Sequence, residues 1–203
     1  MSKKLTERDF DYIHLRNGRR LLLTNPDPKL MDIEIIAHSL ANLCRFCGQV
    51  DKFYSVAQHS VLVSQLVPEK HALAGLLHDA PEAFCGDLPK PIKQQCSGYE
   101  TIENALWKAL AKRYGLPKKL PKSVHYADIQ ALLVEAKTLL AGNDYKTWYP
   151  EVELCDEVII PLKPNEAKKL FLDRYEELTV DDIEIDEEEL LLLEQVLKDK
   201  DYA

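Results

Sequence analysis

Apolar positions in this chain recur mainly at helical spacing. The exception is residues 10–24, where short alternating runs flank Asn17-Gly18, the dipeptide favoured in two-residue type I′ turns. They predict a small β-hairpin. Asn25-Pro26-Asp27-Pro28 then interrupts the chain. A first helix is predicted from an Asp32 N-cap to about Arg45, with Ile35, Ile36, Leu40 and Leu43 apolar. A second starts at Ser55, where Gln58 three residues on completes a capping box, and carries Val56, Val61, Leu62 and Val63. A third covers about 70–84, with Leu73, Leu76 and Leu77. A fourth runs from Tyr99 to Tyr114, with Ile102, Leu106 and Leu110 at i, i+4 and i+8. A fifth, about 122–141, turns Ile129, Leu132, Leu133 and Leu139 inward. Beyond Pro161 and Pro164 a sixth helix spans about 165–177, and a last one lies near 187–198. The pattern predicts an all-α fold with a small N-terminal β-hairpin and a C-terminal helical appendage. Its parts are a hairpin and lead-in at 1–31, a helical domain at 32–178, and an acidic linker with a helix at 179–203.

The composition agrees with a folded body. Of 203 residues, 46% are hydrophobic, enough for a sizeable core. No basic segment leads into an apolar stretch at the N-terminus, and no apolar run is long enough to cross a bilayer. The five cysteines, 44, 47, 85, 96 and 155, are odd in number, which reads as free thiols in a reducing cytoplasm. Cys44 and Cys47 lack the second close pair of a structural zinc site and read as helix packing. The net charge of −8 is unevenly placed. Seven acids and no base fall within 181–190, and without them the body stands at −1. A near-neutral body admits a small anionic ligand and argues against long nucleic acid as the partner. Leu190, Leu191, Leu193 and Val196 form an amphipathic strip that reads either as a dimer or body contact, or as the end of a solvated linker.

Against this helical background His59, His78, Asp79 and Asp128 fall on three predicted helices. Imidazole and carboxylate are the donors that hold divalent Mn, Fe, Co and Zn, or Mg where oxygen dominates. Adjacent His78 and Asp79 cannot share a helix face, so they can meet one ion only where the helix end tilts toward it. Glu82, at i+4 from His78 and i+3 from Asp79, shares that side. His38, Asn42 and Arg45 make a polar stripe at i, i+4 and i+7 of the first helix. It reads as a pocket lining, with His38 equally readable as a core histidine.

Four blocks carry a resemblance: Tyr54-Ser-Val-Ala-Gln-His-Ser, Leu77-His-Asp-Ala-Pro-Glu-Ala-Phe, Gly86-Asp-Leu-Pro-Lys-Pro-Ile-Lys and Tyr126-Ala-Asp. In this order they resemble the HD superfamily of metal-dependent phosphohydrolases, nearest to bacterial 5′-deoxynucleotidases and related phage nucleotide hydrolases. The likeness covers about residues 32–140. It implies an HD-type bundle in which His59, His78, Asp79 and Asp128 hold a divalent metal ion, with Glu82 as the catalytic acid or base. It also implies substrate contacts from Arg45 to phosphate, from Phe46 to base or sugar, and from Asp87 to the sugar hydroxyl. Phe46 reads equally as core, and Asp87 as a turn residue. Phenylalanine stands where the family usually has tryptophan, and His125 where it commonly has lysine, which leaves base preference open. Lys90 and Lys93 read as exposed. The implied function is hydrolysis of a nucleotide phosphate, first a 5′-deoxynucleoside monophosphate. A deoxynucleoside triphosphate hydrolase or cyclic-nucleotide phosphodiesterase is the alternative, and a non-catalytic nucleotide-binding or regulatory module is one of another class. A homodimer stays open.

Overall fold

The computed structural model describes residues 11–142 and 144–180. It is mainly helical, with one small antiparallel hairpin. Strands β1 (Tyr12–His14) and β2 (Arg20–Leu22) pair with His14 opposite Arg20. Their loop differs from the expected two-residue turn. Gly18 alone takes positive φ (80°), while the Asn17 side chain accepts from the Arg19 amide at 3.1 Å and keeps ordinary backbone angles. The result is a three-residue loop closed by Gly18 N–H to Leu15 O and Leu15 N–H to Arg19 O. The loop buries Leu15, and β2 buries Leu21.

Helix α1 (Ile33–Asn42) starts after Asp32, as read. It stops three residues before Arg45, because Leu43 turns extended and the chain pairs instead with the start of the next helix. Cys44 bridges Ser55, Arg45 N–H donates to Tyr54 O, and Val56 N–H to Leu43 O. Arg45 and Phe46 therefore sit in a separate 3-10 turn, Arg45–Gly48, and not at the end of a helix. Phe46 and Cys47 there have φ of 54° and 51°, a region that costs a non-glycine residue about 1–2 kcal/mol. The expected stripe of His38, Asn42 and Arg45 is thereby broken, and Cys47 is exposed on the turn, outside any helix packing.

Helix α2 (Val56–Leu66) begins where expected. The Ser55 hydroxyl accepts from the Gln58 amide at 3.1 Å. Only half the capping box forms, since the Gln58 side chain instead grips Ile160 O and Leu162 N–H across the fold, at 2.8 and 3.0 Å. All nine positions but Gln58 are buried from Val56 to Ser64, so α2 is covered nearly all round, by α1, α3 (Ala72–Leu76), α7 (Lys122–Leu139) and α9 (Pro164–Val180).

The helix expected over 70–84 is three pieces. A 3-10 turn at Glu69–His71 leads into α3, and α4 (Glu82–Cys85) follows a tight passage through Leu77–Pro81. Pro81 has no amide hydrogen and disfavours helical angles before it, so i→i+3 bonds replace the helical ladder: Ala80 N–H to Leu77 O, Glu82 N–H to Asp79 O. Short α5 (Lys90–Lys93) precedes α6 (Tyr99–Tyr114), which ends at left-handed Gly115. Short α8 (Tyr145–Trp148) follows α7.

Two apolar clusters share α2. One gathers α1, α6 and α9 through Ile36, Leu40, Leu106, Leu110 and Phe171. The other joins Tyr54 and Val63 to Ala131 and Val134 of α7. The sixth predicted helix is thus α9, built into the bundle. Of the segment predicted as acidic linker and helix over 179–203, residues 179 and 180 belong to α9, and the rest, with the helix near 187–198, lies outside the described residues. Among those residues no helix is long and apolar enough to cross a membrane.

Candidate metal centre

The break after Leu76 settles how neighbouring His78 and Asp79 reach one point. The helix has ended, and the turn swings both side chains toward α2 and α7. His59 Nε2 lies 3.2 Å from Asp128 Oδ1 and 3.5 Å from Asp79 Oδ2. His78 Nε2 lies 3.3 Å from Asp79 Oδ2 and 3.8 Å from Asp128 Oδ1. His59, His78 and Asp128 each offer a donor atom within 4.8 Å of the others. Donors held at about 2.1 Å around one tetrahedral ion stand roughly 3.4 Å apart, so these spacings fit a divalent cation.

Tautomer and burial point the same way. His78 Nδ1 donates to Gly75 O at 2.7 Å, and His59 Nδ1 meets Glu135 Oε1 at 2.7 Å. With hydrogen on Nδ1, each ring when neutral turns the Nε2 lone pair inward as a free donor. With no cation there, Asp79 and Asp128 instead favour a second proton on the rings and raise both above the ordinary imidazole pKa, against the burial that lowers them. Both Nε2 atoms are buried and lack a hydrogen-bond partner. Such atoms need an occupant to offset lost hydration, and a second bond through Nδ1 is the usual support of a metal-binding imidazole.

The charges interlock. Burial pushes the Asp79 carboxyl up, but His78 and His59 outweigh it and hold it at about 2. Burial depresses His78, and the carboxylates of Asp79 and Asp128 reverse this and raise it well above its usual value. Arg45 is buried and stays charged because Glu135 and Asp79 outweigh its desolvation. Its Nε donates to Glu135 Oε2 at 2.8 Å, and its Nη1 stands 3.9 Å from Asp79 Oδ2. Glu82 is pushed well up, by burial first and then by Asp79 and Asp87. Lys93 opposes this, donating to Glu82 at 3.0 Å and to Glu103 at 2.8 Å. Lys93 is only 29% exposed and is engaged, unlike the free surface lysine expected. Asp87 is also raised, by burial first, with Arg45 pulling it down.

Two cavities flank the centre. A chamber of about 370 Å³ opens directly on His78, Asp79 and Asp128 and is walled by Trp107, Lys118 and Lys119. A larger one, about 600 Å³, touches none of the four candidate ligands. It meets the centre through Asp87 and Phe46, and its walls include Leu132, Leu140, Trp148 and Tyr149. Phe46 is half-buried, serving both this wall and the core beside Tyr54.

Of the residues read from sequence, His59, His78, Asp79, Asp128, Arg45, Glu82, Asp87 and Phe46 converge here. His38 does not. Its charged neighbours are Arg16 and Lys168, which with burial lower its pKa. His125 is exposed. Glu135 was missed, although the signal was present: a lone acid at i+7 from Asp128, between Val134 and Ala136 in an apolar run. Trp148 and Tyr149 gave no signal, since only the folded chain brings them beside Phe46.

No protein-family model matches the chain. It is 40% identical over 151 residues to the uncharacterized protein YfdR of Escherichia coli (strain K12), covering 72% of this chain and 84% of that one. It is 39% identical over 142 residues to an uncharacterized protein of Rhodobacter capsulatus, covering 63% of this chain and 72% of the relative. Identity of that order across most of both chains places this protein in one family with YfdR.

Proposed function

We propose that this protein is a metal-dependent phosphohydrolase of the HD type acting on nucleotides, with a 5′-deoxynucleoside monophosphate as the first substrate. The observation that carries the reading is the pair of buried, partnerless imidazole Nε2 atoms facing Asp79 and Asp128. His59, His78, Asp79 and Asp128 would hold the cation. When bound, it supplies Lewis-acid charge and makes water acidic enough to attack near neutral pH.

The remaining chemistry belongs to side chains. Arg45 spends Nε on Glu135, which leaves its terminal nitrogens to grip phosphate and neutralise charge developing on it. Glu82 holds the proton that hydrolysis must move. Its raised pKa suits a group that takes a proton from water or gives one to the leaving oxygen. Asp87 faces both the centre and the larger cavity, where a sugar hydroxyl would lie, and the aromatic walls beyond suit a base. The chamber with Lys118 and Lys119 favours a second reading, a deoxynucleoside triphosphate hydrolase, because it adds cationic room beside the candidate ligands.

The test is phosphate or pyrophosphate release from deoxynucleoside mono- and triphosphates with Co²⁺ or Mn²⁺. Native protein is compared with Asp79→Ala and Glu82→Ala. Loss of about 10²–10⁴-fold in each variant is expected. Equal turnover in all three would end the catalytic reading, and nucleotide binding without turnover would favour a regulatory module.

A further inference from the structure

Glu135 has no exposure at all, yet each of its oxygens has a separate task. Oε2 accepts from Arg45 Nε at 2.8 Å, and Oε1 lies 2.7 Å from His59 Nδ1. A guanidinium only donates, and an ionised carboxylate only accepts. Bound to the Arg45 guanidinium at 2.8 Å, Glu135 is the ionised partner of that pair, and its other oxygen faces His59 Nδ1 as an acceptor. His59 Nδ1 must therefore carry the hydrogen, and in a neutral ring that strips Nε2 of its own. His78 reaches the same tautomer by another device, the Gly75 carbonyl, which likewise cannot donate.

We infer that Glu135 is a positioning residue that fixes the His59 tautomer and, with the same carboxylate, anchors Arg45. The grip on the cation and the grip on an anion then share one buried support. This rests on reading the His59, His78, Asp79 and Asp128 cluster as a metal centre.

Glu135→Gln tests it with almost no change of shape. Glutamine has one acceptor and one donor in place of two acceptors. Arg45 claims the acceptor, so the amide N–H faces His59 Nδ1, and the ring hydrogen moves to Nε2, where it blocks the cation. In metal-free E135Q, ¹⁵N spectra recorded where the ring is neutral should show His59 switched to the Nε2–H form. Affinity for Mn²⁺, titrated against a chelator, should fall about 10–100-fold. Arg45→Met releases the amide to turn its oxygen toward His59. E135Q in that background should recover the Nδ1–H form and bind Mn²⁺ within about threefold of Arg45→Met alone. A general loss of packing would not be repaired by removing a second buried partner. Arg45→Met alone retains the Glu135–His59 bond and should keep the native tautomer, so a switch to the Nε2–H form in that variant would overturn the inference even if E135Q fails to fold.

An unchanged His59 tautomer in E135Q, or an equal loss of Mn²⁺ affinity in both backgrounds, would overturn the inference. A native protein that binds no divalent ion would instead sink the metal reading, while the metal-free spectra still judge Glu135.

Discussion

Gly75→Ala tests whether the approach of α3 to α2 sets the spacing of the two imidazoles. A β-carbon at Gly75 would stand 3.1 Å from Ser64 Cα, 3.4 Å from Ser64 N and 3.2 Å from Val67 Cγ2. The first two are backbone of α2, which is held on its other sides by α1, α7 and α9 and cannot move away. The shift, a few tenths of an ångström, must therefore fall on α3. The Gly75 carbonyl is the anchor of His78, whereas α2 carries His59, so the shift opens the gap between the two Nε2 atoms. Overpacking costs about 1–3 kcal/mol, and alanine in a helix returns about 0.5–1 kcal/mol. The central balance is a loss of about 1 kcal/mol, which in a chain of this size lowers the melting midpoint by roughly 2–4 °C. Ligand distances tolerate only about 0.2 Å, so metal affinity should fall as well. Calorimetric melting with and without Mn²⁺ reads both effects. A variant that melts at or above the native midpoint and binds Mn²⁺ equally well would refute the argument.

Three further outcomes follow from the same geometry. Lys93→Met removes the cation that lowers Glu82, whose pKa burial, Asp79 and Asp87 already raise. Glu82 then keeps its proton to higher pH, so if it acts as the base, the acid limb of kcat/KM moves upward; a limb moving down would contradict the pairing. Trp148→Ala strips a wall of the larger cavity remote from the candidate ligands. KM for a deoxynucleotide should rise several-fold with kcat within about twofold, as expected for lost uniform binding, and an unchanged KM would remove the base from that cavity. Burial pushes the Cys85 thiol up to about 11, whereas Cys47 and Cys96 are exposed. Brief iodoacetamide treatment near pH 8 followed by peptide mass spectrometry should find Cys47 and Cys96 modified well before Cys85, and early labelling of Cys85 would show the α4 end to be open.

Where local chemistry decided the structure, the sequence could be read closely. Tyr99–Tyr114 formed as expected because its apolar spacing runs unbroken to Gly115. Ser55 capped α2 because its hydroxyl needs only the Gln58 amide nearby. Reading failed where distant partners outweighed local preference. Periodicity carried the third helix through 78–81, but Pro81 and the turn it forces deliver His78 and Asp79 to the same place. No propensity scale places Phe46 and Cys47 at positive φ. The burial of Arg45 against Glu135, 90 positions away, supplies what that turn costs. The four candidate ligands were legible as residue types. Glu135 left one sign, a lone acid in an apolar run, whereas Lys93, which engages Glu82, left none, because an engaged lysine looks like a surface residue until the fold brings its partners.

The Gln58 clasp on Ile160 and Leu162, with Arg174 bonded to Ser64 at 3.0 Å, fastens the end of the described chain onto the helix that bears His59. During synthesis about a hundred residues must emerge between that histidine and α9, on the order of 5–20 s. Through that interval the flank of α2 that α9 covers stays open, and for most of it Glu135, which aims His59, has yet to emerge. Competence to hold an ion therefore comes late to the nascent chain, and the interval before α9 docks is when it most needs shielding from other sticky surfaces.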